Sequence, residues 1–167
     1  MPEKTTLERA RQDKQEGKSP TTQAGEFVRE EMEHIRSGKH GARSAKQAIA
    51  IGLSKARRAG VRLPPPAKGK TSEKTRIAAA HATTAGHING KHRPSPTRSR
   101  AIKGVLKREG HAAASPTALS RQASAAARNR TPEERSASAR KGMRKRSAAE
   151  RSASARKAAR TRALRAR

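Results

Sequence analysis

The side chains that could do chemistry here are six histidines, 13 acidic residues and 41 lysines and arginines, and the sequence has no cysteine, tryptophan or tyrosine. His81, His87 and His92 are spaced by 6 and 5 residues. No helical face collects them, no thiolate assists, and residues 77–107 contain no acidic group, so no metal is expected there. Glu26, Glu30, Glu31 and Glu33 fall close together on one predicted helix, where Arg29, Arg36 and Lys39 are near enough in sequence to pair with them. That pattern reads as a solvated outer face. A phosphate loop, a nucleophile elbow and a carboxylate pair set in a pocket are all missing from the pattern. The expectation is a protein that is not an enzyme, with no catalytic residue, no cofactor and no metal.

The cations are the dominant feature. The formal net charge of +28 argues for a polyanionic partner. It is spread as +6 over residues 1–63, +12 over 64–130 and +10 over 131–167. With one Phe as the only aromatic, the stacking platforms of single-strand and RNA-recognition modules cannot be built. Phosphate contact remains, with Arg140, Lys141, Arg144, Lys145, Arg146, Arg151, Arg156, Lys157, Arg160 and Arg162 as candidates, helped by Lys55, Arg57 and Arg58. Ser95-Pro96-Thr97-Arg98 adds a Ser/Thr-Pro-x-basic turn that could lay Arg98 along a narrow minor groove, or simply serve as a linker turn.

The elements that must position these residues are constrained by composition. Alanine accounts for 33 residues, while Phe, Met, Ile, Leu and Val together supply 19. Ordering a backbone residue costs about 1–2 kcal/mol and burying a large aliphatic side chain returns about 1.5–3 kcal/mol, so 19 such side chains cannot order the whole chain around one core. Residues 1–18 predict an exposed, frayed helix whose only large apolar residue is Leu7, with Thr5 and Glu8 at capping-box spacing and Gly17 as its stop. Residues 19–66 predict an α-helical hairpin. Its first helix starts at Ser19-Pro20 and carries Ala24, Phe27, Val28, Met32 and Ile35. After Gly38-Lys39-His40-Gly41, its second is capped by Ser44 and Gln47 and presents Ala45, Ala48, Ile49, Gly52, Leu53 and Ala56, stopping at Gly60 before Pro64-Pro65-Pro66. A hairpin this small calls for a second copy, a homodimer through the hairpin, or for nucleic acid to order it fully. Residues 67–98 read as a linker with a weak helical stretch near 75–85, and 99–114 as a short amphipathic helix and turn around Ile102, Val105 and Leu106.

Residues 115–167 contain a 16-residue repeat. ERSASARK occurs at 134–141 and again at 150–157, and Ser115-Pro116 aligns with Thr131-Pro132 as a degenerate earlier copy. Thr131/Glu134 and Ser147/Glu150 have capping-box spacing. In a continuous helix, 16 residues turn the face by about 160° beyond whole turns. Equivalent arginines would then face opposite ways and no apolar seam would form. The expected fold class is therefore all-α: a small helical hairpin followed by a largely disordered basic Ala/Arg-rich arm with transient helices, ordering on a polyanion.

The segment GEFVREEMEHIRSGKHGARSAKQAIAIGLSKARRAGVRLPPP, residues 25–66, resembles a family of short basic bacterial proteins that carry a domain of unknown function and are sometimes labelled plasmid-stabilisation or DNA-binding proteins. The likeness extends over residues 5–66, and AIKGVLKREGHAAASPTALSRQASAAARNR at 101–130 resembles the downstream part of that family. The tail is similar in composition to those of linker histones and bacterial histone-like proteins. The resemblance implies chromosome or plasmid association. The functional expectation is a sequence-nonspecific DNA-binding architectural protein, nucleoid- or plasmid-associated, acting through phosphates. Structured RNA, ribosomal RNA included, is an alternative partner, and a protein-interaction adaptor using the hairpin is an alternative of another class. No apolar run approaches 18 residues and the start MPEKTTLERARQDK lacks a signal-peptide core, so a cytoplasmic protein with no membrane contact is expected.

Overall fold

Local start and stop signals decide where this chain turns into helix. A computed structural model describes residues 2–87, 95–144 and 146–165. Among the described residues it is all-helical, without strands: α1 Lys4–Gln15, α2 Pro20–Arg36, α3 Ala45–Arg58, α4 Glu73–His87, α5 Pro96–Arg108, a 3-10 turn at Ala112–Ala114, α6 Pro116–Arg128, α7 Pro132–Arg144 and α8 Ala148–Arg165. None of these helices is long and apolar enough to cross a membrane. The chain divides into two compact units, Met1–Gln122 and Ala123–Arg167.

In the first unit, α2 and α3 form the most extensive helix pairing. The Ser44 hydroxyl accepts from the Gln47 amide at 3.2 Å, and the Arg43 amide donates to Gln47 Oε1 at 2.8 Å, so α3 starts at the predicted box. It stops on Gly60 at φ +89°, where the Gly60 amide donates to the Arg57 carbonyl and the Val61 amide to that of Ala56. These are the paired bonds of a Schellman stop, with Val61 buried behind it. Ala24, Phe27, Ala56, Val61 and Leu63 form one apolar cluster, and Met32, Ile35, Ala42 and Ala48 belong to a second. Gly52 lets the helices close in: a methyl there would stand 2.8 Å from Val28 Cα.

The compact unit is wider than a helical pair. Ala10 of α1 is buried in the first cluster with Leu7 packed against it, which corrects the expectation of an exposed, frayed N-terminal helix. Nor does α1 begin at the expected box: Glu3 stands at the N-cap with no side-chain cap hydrogen bond. Within the stretch read as a linker, α4 packs on α3, burying Ala79 and Ala82. The Ser95-Pro96-Thr97-Arg98 turn is a helix start: Ser95 is the N-cap of α5, Pro96 its first residue, and the Arg98 amide reaches Ser95 Oγ at 3.5 Å. At the far end of α5, the Gly41 amide donates to the Leu106 carbonyl at 2.8 Å and the Ala42 amide to that of Gly110 at 3.1 Å. Ala113 and Ala114 then join the second cluster. These contacts escaped sequence reasoning because alanine faces bury little area each and leave no strong apolar period.

The expectation of a largely disordered arm is also corrected. α6, α7 and α8 begin at Pro116, Pro132 and Ala148, one per 16-residue repeat. At Thr131 and Ser147 the box closes both ways: the Glu134 and Glu150 amides donate to the Thr131 and Ser147 hydroxyls at 3.2 Å each. In return the Thr131 and Ser147 amides donate to Glu134 Oε2 at 3.1 Å and Glu150 Oε2 at 2.8 Å. A third bond repeats at the same spacing. Arg135 Nη1 donates to the Arg130 carbonyl at 2.9 Å, and Arg151 Nη1 to the Arg146 carbonyl at 3.0 Å. Each repeat thus restarts its helix, so the 160° offset of a continuous helix does not apply.

Candidate functional site

Two groups of charged side chains stand out, one exposed and one buried. Every described side chain from 123 to 165 is exposed, and residues 123–167 hold 15 basic against 3 acidic residues. Arg140, Lys141 and Arg144 line an open concavity of about 490 Å³ along one face of α7 together with Ala137, following the i, i+3, i+4, i+7 spacing of a helix face. Arg151, Arg156, Lys157, Arg160 and Arg162 are exposed on α8. Of these, Arg151 spends one guanidinium nitrogen on the repeat junction. Arg146 sits in the turn between α7 and α8, with Nη1 3.4 Å from Ser154 Oγ. Lys145 lies outside the described residues. Among the described residues, no ion pair involves α7 or α8, so these cations have no acidic competitor for a phosphate.

The first unit contributes fewer cations than expected. Arg58 and Arg98 are exposed, but Lys55 and Arg57 are turned inward. Arg57 is buried, its Nη2 donates to the Pro64 carbonyl at 3.2 Å, and burial pushes its guanidinium below the usual arginine range. It braces the stop of α3 rather than facing solvent.

Lys55 belongs to the second group. Glu30 and Glu31, expected on a solvated face, are 3% and 0% exposed. Lys55 Nζ stands 2.6 Å from Glu31 Oε2 and 3.6 Å from Glu30 Oε1. The Glu31 contact is one of charge rather than of hydrogen-bond direction, because both Glu31 oxygens lack a directed partner. His40 Nε2 lies 3.4 Å from Glu31 Oε1, and His34 Nε2 lies 3.9 Å from Glu30 Oε1. At the rim, Glu3 Oε1 takes contacts from His34 Nε2 at 2.8 Å and Lys39 Nζ at 2.9 Å. The His34 hydrogen bond, then that of Lys39, holds the Glu3 carboxyl down at about 2. Arg36, expected to pair with an acidic neighbour, donates instead from Nε to the Ala114 carbonyl at 3.0 Å.

The histidines singled out in the sequence are not the ones the fold gathers near acidic groups. His81 and His87 are exposed on α4, and His92 lies outside the described residues. The signal that was present is Glu31 and His34 three residues apart on α2, with His40 delivered by the turn that Gly38 reverses at φ +75°.

Both α2 and α3, with the turn that carries His40, lie inside the stretch that a known family covers. A family described as a family of unknown function, DUF6496, matches residues 11–68. No curated protein and no solved structure matches the chain.

Proposed function

We propose that this protein binds duplex DNA through its phosphates, without reading base sequence, and acts as an architectural protein of a nucleoid or plasmid. One observation carries the reading: a unit of 15 basic and 3 acidic residues whose described side chains are all exposed and in which no described cation has an acidic partner. Helices held by their own caps leave Arg140, Lys141, Arg144, Arg156, Lys157, Arg160 and Arg162 available to the backbone of a duplex. In this reading α2 and α3 act as a helical hairpin that anchors the arm, alone or as a homodimer. Binding releases condensed counterions, so neutralising about 6–10 phosphates makes affinity fall roughly 10³- to 10⁵-fold between about 50 and 200 mM salt. Fluorescence anisotropy on random-sequence duplexes across that range tests the reading. A flat salt dependence defeats it, a strong preference for one sequence shows that bases are read, and preferential competition by a structured RNA moves the partner to RNA.

A further inference from the structure

We propose that Glu31, His34 and His40 form a binding site for one divalent transition-metal ion of the zinc type. Each of the three offers a ligand atom, and these atoms lie within 4.8 Å of one another. Bond lengths near 2.0 Å put neighbouring tetrahedral donors about 3.3 Å apart, so the three draw in by up to about 1.5 Å on loading. That distance is within the reach of side-chain rotation.

The independent sign that this place takes a cation is Glu31 itself, whose Oε2 already draws Lys55 Nζ to 2.6 Å. It is fully buried, and neither carboxylate oxygen has a directed hydrogen-bond partner. His40 sharpens the point. Its Nδ1 lies 3.1 Å from the Gly41 carbonyl, which can only accept, so a proton sits on Nδ1. In the neutral ring Nε2 then presents a lone pair, and it faces Glu31 Oε1 at 3.4 Å. A lone pair on Nε2 and the Glu31 carboxylate would then both be available to a cation set between them. The Gly41 contact fixes the tautomer as an outer carbonyl does for a ligating imidazole.

Lys55 explains how the pocket stands without the ion. One ammonium faces two buried carboxylates, Glu30 and Glu31, which leaves a negative charge uncompensated unless a histidine is protonated. The Lys55 side chain is 22% exposed, so its head can withdraw on a flexible stem when a dication enters. The donor set selects the ion. Two imidazoles and one carboxylate suit zinc, cobalt, nickel or copper, whereas calcium and magnesium want oxygen throughout.

The test uses the full chain, titrated with cobalt(II) chloride under visible absorption and with zinc chloride by calorimetry. The expected result is one equivalent bound, with a ligand-field band that zinc abolishes. His40→Ala and Glu31→Gln should each weaken binding beyond the roughly 10- to 100-fold typical of an outer-partner loss. His81→Ala with His87→Ala should leave binding unchanged. Because the ligand variants could unfold, Lys55→Met provides a second measure: it removes the competing ammonium, so zinc should raise its Tm more than it raises that of the parent. Absence of stoichiometric binding, binding indifferent to His40 and Glu31, or a Lys55→Met protein whose Tm ignores zinc would each overturn the site.

Discussion

Glu30 and Glu31 show how residue type misleads when the partner comes from another element. Four acidic residues near Arg29, Arg36 and Lys39 read as a wet surface, and Lys55 near Arg57 and Arg58 read as part of a phosphate-binding run. The fold instead brings Lys55 of α3 onto the acidic pair of α2. Nothing local announces that, because each segment alone is a plausible exposed face. Removing the cation strands the buried carboxylates. Lys55→Ala should therefore cost about 3 kcal/mol in urea unfolding, a figure at the low end for a broken buried pair because Lys55 keeps some solvent. Arg58→Ala, at an exposed position, should stay within about 0.5 kcal/mol. A second residue-scale expectation concerns Glu150. Its carboxyl is held below the usual range by the Ser147 amide and then the Ser147 hydroxyl. A depressed folded value means that the stabilisation is complete above the unfolded carboxyl range and is lost as pH falls through the folded value. The Ser147 amide should accordingly lose exchange protection on acidification below about pH 4. In Glu150→Gln that dependence should vanish, which amide-resolved NMR between neutral and acid pH can follow.

Elements set by short-range chemistry were readable, and elements set by packing were not. The box at Ser44, the stop at Gly60 and the boxes at Thr131 and Ser147 involve residues within about one turn of each other, so spacing alone found them. The burial of α1 and α4 depends on Leu7, Ala10, Ala79 and Ala82 meeting neighbouring helices, α1 against α2 and α4 against α3, and one leucine among small alanines gives no amphipathic stripe to detect. Ser95-Pro96 was seen as a turn when its own chemistry, a hydroxyl cap followed by proline, equally describes a helix start. Two tests belong here. Gly52→Ala pushes α2 and α3 apart at Val28 and should cost about 1–3 kcal/mol, measurable by urea unfolding. Ser147→Ala removes one reciprocal cap and should destabilise α8 by about 0.5–2 kcal/mol, visible as lost helical signal in circular dichroism. Arg151→Gln should act in the same direction by freeing the Arg146 carbonyl, whereas Arg156→Gln should leave helicity unchanged.

Across the whole molecule, charge sorts the two units: the first mixes signs and spends several cations internally, while the second exposes nearly all of them. Composition revealed that imbalance directly, since +28 survives any fold, but not which arginines were committed to structure. Replacing Arg140, Arg144, Arg156 and Arg160 with Gln should lower the salt slope of duplex binding by about 3.6. Lysine at the same four positions should change affinity little, because a phosphate accepts a point charge nearly as well as a fork; a selective loss on A·T-rich tracts would instead indicate arginine in the minor groove. The repeat junction also bears on how such a chain can vary. Its helix start, return bond and arginine brace are all drawn from residues beside the break. The earliest copy has Leu119 in place of that arginine, packs it against the core, and receives its brace on the Ala114 carbonyl from Arg36. An in-frame duplication or loss of one later copy would join intact junctions at either side, so the gene can lengthen or shorten in whole units and, on the proposed reading, grade the grip on a polyanion without a single compensating substitution.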